Sequence, residues 1–377
     1  MGGSPSVEYT MQLADEDTLR LNVLATTALA IRIDEKTMCV EALTEHQTHR
    51  IELKPTGNPD RYLRAVRENL SVFALGTPGG YPVFIRRWTR TGALETERLA
   101  RLLRLGEAEA VVAVAASPNL DDELARRAWW CLPTAEVARL MLSHPDVANG
   151  HTGPKLSQFL LDHLPFEETS RGVIDTVKLL LCSGRLTEEE TGRLRARAED
   201  HVACRVGFLS AGPRYLGAPK EAGGFDTGSG DNPLVEHMLQ HAASAQGERF
   251  LRWADHALKK AVDMDTVVDT LNALGEYGKP IRREGAALPR SAQDLQQTVE
   301  SLMALPAQAL DPDSVLAAPF PDRRNRQAAL ITLSLCGEPL VAPFFARSDA
   351  VGSLMRKKLK PVLEPVFAAL KTLLGQQ

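Results

Sequence analysis

The feature that most constrains this fold is a run of short helical segments between residues 98 and 165. Strong helix formers, chiefly Ala, Leu, Glu and Arg, fill stretches of about ten to thirteen residues, which is the length of three helical turns. Glycine or proline interrupts the run at Gly106, Pro118, Pro133, Pro145 and Pro165. Consecutive helices joined by tight turns pack as antiparallel neighbours. The run therefore predicts an array of short helices without a reaction centre.

The N-terminal residues follow a different pattern. Residues 15–27 begin with acidic side chains and predict a first helix. Three short, partly alternating runs come next, at residues 30–34, 37–43 and 49–53. They predict an antiparallel hairpin or a three-stranded meander. Asn58 and Pro59 then suit the first turn of another helix, which Gly76 is expected to end.

Together these patterns predict a mostly α protein in four parts. The parts are an N-terminal α+β cap over residues 1–92, a helical array over 93–211, a Gly/Pro-rich linker or loop over 212–233, and a C-terminal helical region over 234–377. We expect the array to be an irregular, HEAT-like α-solenoid, although no strict repeat of about 30 to 45 residues is visible. In the last helix, Pro361 and Pro365 are expected to introduce a kink or to delay the helix start.

Composition narrows the class of protein. The 377 residues are 44% apolar and 24% charged, as in ordinary soluble globular proteins. A formal charge of -4 argues against bulk nucleic-acid binding. Five scattered cysteines without a CxxC pair suit a reducing cytoplasm, and no apolar run is long enough to predict a membrane span. We therefore expect a cytoplasmic protein.

No set of residues in the sequence predicts a reaction. A paired-carboxylate site, a P-loop and a nucleophile elbow are all missing from the pattern. His237 and His241 are one helical turn apart, but the residues between them lack the glutamate of a zinc-protease motif. Solvated histidines are the better interpretation of that pair. We expect no cofactor, no metal and no enzymatic activity.

A group of arginine, tryptophan and tyrosine residues is the best candidate for binding a partner. Tryptophan and arginine are enriched at interfaces, and both can also contact nucleic acid. Adjacent helix positions point about 100° apart, so we expect one of Trp129 and Trp130 in the core and the other at a groove edge. Solvated helix faces with local ion pairs are the alternative interpretation of the arginines. The predicted partner-binding residues are Tyr81, Arg86, Arg87, Trp88, Arg90, Arg126, Arg127, Trp129 and Trp130.

Cys204 and Cys131 are the candidates for thiol chemistry. His201 lies within one helical turn of Cys204, and a histidine beside a thiol can promote the reactive thiolate. Both cysteines nevertheless have apolar neighbours in the sequence, which is typical of packing. A redox or sulfur-transfer role is therefore the weaker hypothesis.

Several uncommon strings in the first half of the chain resemble a known family. They are TLRLNVL, AIRID, PGGYPVFIRRWTR, LLRLGEAEAVVAV and DELARRAWWCLPTAEVARLML. On these strings the chain resembles the DsrS family of the bacterial dissimilatory sulfite reductase gene cluster, over roughly residues 15–185. The resemblance implies a soluble cytoplasmic protein that is linked to sulfur oxidation and influences expression of that pathway. It supplies no catalytic or binding residue.

We therefore expect a non-enzymatic accessory or regulatory protein of sulfur oxidation, built as a helical scaffold that binds another macromolecule. A protein of the sulfur-oxidation machinery is the expected partner. RNA is the alternative partner; the chain would then be a post-transcriptional regulator whose binding weakens steeply with salt. A thiol-based redox or sulfur-transfer protein is the remaining alternative.

Overall fold

The computed structural model describes residues 13–77, 95–216, 233–282, 285, 287–304 and 323–375. Within these residues the chain is mostly helical, with eighteen α-helices and one three-stranded antiparallel sheet near the N-terminus. The predicted mostly α fold with a small β element is therefore confirmed. A HEAT-like repeat arrangement stays a prediction.

The chain forms two compact units, one ending at His163 and the other beginning at Leu164. The predicted boundaries after residues 92, 211 and 233 stay predictions, and residues 217–232 of the predicted linker lie outside the described residues. None of the described helices has the length and apolar character needed to cross a membrane.

The first unit contains the sheet and eight helices in its described part. In chain order they are α1 (Asp15–Thr27), β1 (Ala30–Asp34), β2 (Cys39–Leu43), β3 (Thr48–Glu52), α2 (Pro59–Leu75), α3 (Thr96–Leu102), α4 (Ala108–Ala115), α5 (Asp122–Cys131), α6 (Ala135–Leu142), α7 (Pro145–Asn149) and α8 (Gly153–His163).

The second unit is helical throughout its described part. Its α-helices are α9 (Ser170–Ser183), α10 (Glu188–Asp200), α11 (Val202–Ala211), α12 (Pro233–Ala243), α13 (Ala245–Lys260), α14 (Met264–Tyr277), α15 (Ala292–Ala304), α16 (Arg323–Ser334), α17 (Ala342–Phe345) and α18 (Gly352–Leu373). Short 3-10 turns at Leu164–Phe166, Pro213–Leu216, Lys279–Ile281 and Glu338–Leu340 complete the set.

The three strands form the predicted meander, in the order β1-β2-β3. Ala30 of β1 pairs with Leu43 of β2, and Cys39 of β2 pairs with Glu52 of β3, both antiparallel. One hydrophobic cluster joins the sheet to α1 and α2. Its larger buried members are Leu21, Leu24, Ile31, Val40, Leu53, Tyr62, Leu63, Val66 and Leu70.

A buried carboxylate ties α1 to α2 beneath the strands. Asp17 is fully buried, and its Oδ2 accepts hydrogen bonds from the Tyr62 hydroxyl at 2.5 Å and the Lys54 backbone N–H at 2.9 Å. Its Oδ1 has no hydrogen-bond partner among the described residues. Burial, followed by the hydrogen bond to Asp17, raises the pKa of Tyr62 to about 12. The hydroxyl therefore stays protonated and keeps donating at neutral pH.

In the second unit, α11 lies at the centre of the helices. Seven of its ten residues are buried, and it packs against α9, α10, α13 and α14. Gly207 allows α9 to come close, because a Cβ at this position would lie 2.6 Å from Cβ of Val177. A small residue at a helix contact thus sets how closely the two backbones approach.

The last helix corrects the expectation of a delayed start. α18 begins at Gly352, and both Pro361 and Pro365 lie inside it. A proline in a helix removes one backbone hydrogen bond, so the carbonyl groups four residues earlier lose their usual donor. A buried row that packs against α13, α15 and α16 holds the helix together despite this cost. The row consists of Met355, Leu359, Leu363, Val366, Ala369, Leu370 and Leu373.

Gly207→Ala tests the close contact between α9 and α11. The added Cβ would meet Val177, and overpacking of this kind costs about 1 to 3 kcal/mol. We expect that loss in the free energy of unfolding, measured by urea denaturation. Gly192→Ala in α10 is the matched control, because nothing lies within 4 Å of its Cβ position. The control should instead gain about 0.5 to 1 kcal/mol. Equal effects at the two glycines would contradict the contact.

Tyr62→Phe tests the buried hydrogen bond to Asp17. The substitution removes one of the two donors to Asp17 Oδ2 and leaves the Lys54 N–H. A hydrogen bond to a charged group contributes about 1.5 to 3 kcal/mol, and we expect that loss at neutral pH. The pKa of Tyr62 is about 10 in the unfolded chain and about 12 in the folded protein. Its contribution to the free energy of unfolding is therefore complete below about pH 10 and is lost as the pH rises toward 12. The alkaline decline in stability should therefore be shallower in the variant. Parallel declines, measured by denaturation at each pH, would contradict a buried Tyr62.

Candidate functional site

Four of the nine predicted partner-binding residues lie in the described part of the chain. Arg126, Arg127, Trp129 and Trp130 are all on α5. The other five lie outside the described residues; they are Tyr81, Arg86, Arg87, Trp88 and Arg90. The site below is therefore built from α5 and the elements that contact it.

Helix α5 begins at a side-chain cap. Asp121 accepts a hydrogen bond from the Leu124 N–H at 2.7 Å, which satisfies one of the free donors at the helix start. Its buried side is formed by Leu124, Ala125, Ala128, Trp129 and Cys131. The positions between these residues, including Arg126 and Trp130, lie toward solvent because the helix repeats every 3.6 residues.

The two tryptophans have separate environments, as their adjacent positions on the helix imply. Trp129 is only 8% exposed, and its ring meets Phe159 of α8 edge-to-face at 4.7 Å between centroids. Trp130 is half-buried and lines an open groove of about 770 Å³. We call this space the Trp130 groove. Its lining residues are Arg32, Asp122, Glu123, Arg126, Trp129, Trp130, Pro133, His151, Thr152 and Lys155.

Strand β1 supplies one wall of the Trp130 groove through Arg32. The guanidinium carbon lies 4.6 Å from the centroid of the Trp130 ring, within the range of a cation–π contact. Arg32 Nη1 also donates to the Trp130 carbonyl at 3.1 Å, and its Nε donates to Glu41 on β2 at 2.6 Å. These contacts hold both side chains in one arrangement.

Sequence reasoning missed Arg32, although one signal was present. An arginine between Ile31 and Ile33 in a short strand lies on the opposite face from both isoleucines. Its partner Trp130 is 98 residues away in sequence, and no local pattern connects the two.

Ion pairs occupy part of the predicted arginine group. Arg126 donates to Glu123 through Nε and Nη2, both at 2.7 Å, and Arg127 Nε donates to the same carboxylate at 2.8 Å. The hydrogen bond from Arg126, aided by Arg127, lowers the pKa of Glu123 to about 2. Local pairing, the alternative interpretation of these arginines, therefore accounts for both residues.

The N-terminal end of α8 also lines the Trp130 groove. The Asp122 carboxylate accepts from the backbone N–H groups of His151 at 2.9 Å and Thr152 at 3.0 Å, which fixes that end against α5. Lys155 is exposed and has no ion-pair partner within the described part of the chain. Its ammonium group is thus available to an outside carboxylate.

Charge in the Trp130 groove is nearly balanced. Its formal cations are Arg32, Arg126 and Lys155, and its carboxylates are Asp122 and Glu123. With histidine neutral, three positive and two negative groups leave an excess of one. The groove combines an aromatic ring, a proline and paired charges, which are features that suit a protein segment more than a polyanion.

The two cysteines considered for thiol chemistry are buried. The Cys131 thiol lies 3.6 Å from the Ile31 carbonyl oxygen, and the Cys204 thiol lies 3.7 Å from the Leu194 carbonyl oxygen. Burial raises the pKa of each thiol to about 12. Both thiols are therefore protonated at neutral pH, and their surroundings give a redox or sulfur-transfer role no support.

His237 and His241 of α12 have no third metal-ligating side chain beside them among the described residues. His241 Nδ1 is 3.0 Å from the Tyr277 hydroxyl, and burial, together with the nearby His237, lowers the pKa of His241. Over the described ranges, no group of three or more His, Cys, Asp or Glu side chains could hold a metal ion.

Thiol labelling tests the placement of the cysteines. Cys182 is exposed, whereas the other four cysteines are buried. We expect an aromatic disulfide reagent at pH 8 to label one thiol fast and four slowly, since a buried thiol must first be exposed by opening. Cys182→Ser should remove the fast phase, and denaturant should release all remaining thiols. Fast labelling of Cys131 or Cys204 in the folded variant would contradict their burial.

Comparison with known proteins identifies no relative of the chain. No family model, curated protein or solved structure matches the chain.

Proposed function

We propose that the chain is a non-enzymatic accessory or regulatory protein of cytoplasmic sulfur oxidation that binds a protein partner through the Trp130 groove. The observation that carries this proposal is the contact of Arg32 with Trp130, which holds an aromatic and cationic wall of a groove that Lys155 also lines, without an ion-pair partner among the described residues. Side chains already held in place lose little freedom on binding. Tryptophan and arginine also dominate the binding energy of many interfaces.

The lining of the groove favours a particular kind of partner segment. An apolar side chain would pack against Trp130 and the exposed Pro133, and a carboxylate next to it would reach Lys155. The excess of a single positive charge is too small to attract a polyanion strongly. A short protein segment with mixed apolar and acidic residues meets these conditions.

RNA is the less favoured partner because few aromatic faces are free for stacking. Arg32 lies over the ring of Trp130, and Phe159 contacts the buried ring of Trp129. Binding to single-stranded nucleic acid relies on free aromatic faces and an extended basic track. The described part of the Trp130 groove offers little of either.

The resemblance to the DsrS family supports the proposed pathway. One of the strings that carries this resemblance, DELARRAWWCLPTAEVARLML, begins with the ten residues of α5. The site and the resemblance therefore depend on the same helix. A HEAT-like arrangement of the short helices would add an extended surface beside the groove, as such arrays commonly do.

Trp130→Ala and Lys155→Glu test this proposal. Each purified full-length variant is immobilised and exposed to an extract of a sulfur-oxidising bacterium treated with ribonuclease, and the bound proteins are quantified by mass spectrometry. We expect one protein retained by the wild type to be lost with both variants. Its measured affinity should fall by about thirtyfold for Trp130→Ala, as for a hot-spot residue that contributes about 2 kcal/mol.

Lys36→Glu is the matched control, because Lys36 is an exposed lysine of the same unit outside the groove. It should retain the partner at the wild-type level. Circular dichroism melting of all variants separates loss of binding from loss of folding. Equal recovery of every protein by the wild type and Trp130→Ala, or recovery only without ribonuclease, would contradict a protein-binding groove.

A further inference from the structure

A second groove runs along α18 in the C-terminal unit. Its volume is about 560 Å³, and it differs from the Trp130 groove in size and charge. We call it the α18 groove. Its lining residues are Leu258 and Lys259 of α13, Val267 of α14, and Arg356, Lys357, Leu359, Lys360, Leu363, Glu364, Phe367, Ala368 and Lys371 of α18.

The floor of the α18 groove is apolar and well packed. Leu258, Leu359 and Leu363 are at most 3% exposed, so the floor is held by the contact between α13 and α18. Phe367 is half-buried and Ala368 is exposed, which leaves apolar surface within reach of an outside molecule. A rigid floor with accessible apolar atoms is a common property of peptide-binding grooves.

The rim of the α18 groove is strongly positive. Its formal cations are Lys259, Arg356, Lys357, Lys360 and Lys371, and its one acid is Glu364. Five positive groups and one negative group leave an excess of four. The excess is local, because the whole chain has a formal charge of -4.

Most of this positive charge is not neutralised within the unit. Lys259 pairs with Asp255 at 2.7 Å, and Arg356 donates to the Ala261 carbonyl at 2.6 Å. In the residues that the structure describes, the other three rim cations have no ion-pair partner. They are Lys357, Lys360 and Lys371, and all three are exposed.

The length of the groove indicates the shape of its ligand. Its lining positions on α18 extend from Arg356 to Lys371, which is about 22 Å at 1.5 Å per residue. The lysines along this length are open to solvent, so a small molecule would be only partly enclosed, whereas compact ligands are usually buried over most of their surface. An elongated ligand of about four helical turns matches the length.

We propose that the α18 groove binds an acidic amphipathic helix of a protein partner. Apolar residues at every third and fourth position of that helix would pack on Phe367 and Ala368. Its flanking carboxylates would face the unpaired lysines, and their long-range attraction would speed association at low salt. This proposal does not rest on the proposed function of the Trp130 groove, so an experiment can contradict one proposal and leave the other standing.

Direct binding to a designed peptide tests the proposal. The probe is a fluorescein-labelled peptide of about 16 residues, with leucines on one helical face and glutamates beside them. Its control has the same composition with the leucines dispersed around the helix. Fluorescence anisotropy with the full chain should show the patterned peptide binding at least about tenfold more tightly than the control peptide. Equal affinity for the two peptides would overturn the proposal.

A charge reversal locates the binding. Lys360→Glu with Lys371→Glu should weaken binding of the patterned peptide by at least about tenfold, whereas Lys36→Glu with Lys178→Glu, two exposed lysines outside the groove, should leave it unchanged. A peptide with lysine in place of glutamate should prefer the first double variant to the wild type. Wild-type affinity in that variant would overturn the proposal.

Two further probes separate other anionic ligands from a helix. Vesicles of phosphatidylcholine and phosphatidylglycerol and a single-stranded RNA of about 20 nucleotides are titrated under the same conditions. Either one binding more tightly than the patterned peptide, and losing affinity in Lys360→Glu with Lys371→Glu, would overturn the assignment to a protein helix. Trp130→Ala should bind the patterned peptide as the wild type does, which distinguishes this site from the one proposed above.

Discussion

In the second unit, the burial of α11 decides how the neighbouring helices can pack. Among the described elements, it packs against α9, α10, α13 and α14. Its arginine, Arg205, is also buried, with only 2% of its surface exposed. The guanidinium donates to the Glu199 carbonyl and lies 5.6 Å from the Trp253 ring centroid. A buried charge is tolerated only with such partners. These contacts favour one rotation of α11, although Arg205 Nε has no hydrogen-bond partner among the described residues, and Gly207 permits the close approach to α9.

Local sequence signals predicted many of the element ends correctly. Asn58 caps α2 by accepting from the Arg61 N–H, and Gly76 ends that helix with a φ of +76°. The start of α10 depends on equally local contacts, because Thr187 and Glu190 form a reciprocal capping box there. Signals of this kind act over three or four residues, so they can be identified without the tertiary fold.

Contacts between distant segments could not be predicted in the same way. The arginine group on α5 and its pairing with Glu123 follow from helical spacing within one element, whereas the approach of Arg32 from β1 depends on tertiary packing. The prolines of α18 show the same limit, because packing of its buried row outweighs two missing hydrogen bonds. Of the candidate site, the sequence supplied α5 and its tryptophans, and the structure supplied the opposite walls.

The two grooves use different physical means of recognition. In the Trp130 groove, charges are mostly paired internally and an aromatic ring is held in place, so specificity would come from shape and apolar contact. In the α18 groove, unpaired lysines surround an apolar floor, so association would respond strongly to ionic strength. The two proposed sites would therefore select their partners differently, one mainly by apolar fit and the other mainly by charge.

The prolines inside α18 change the hydrogen bonding of the backbone on the side of the helix where they lie. Without N–H groups at positions 361 and 365, the carbonyl oxygens of Lys357 and Pro361 lose their usual donors four residues later, so we expect water or another group to bond to them. Pro361 is exposed, so water is the available donor there. If this side of α18 packed against another apolar surface, both carbonyl oxygens would lose water as a hydrogen-bond donor. We therefore expect it to be an unfavourable surface for aggregation of the chain. We therefore expect the prolines to keep one side of α18 hydrated, while the α18 groove beside it stays accessible to a partner.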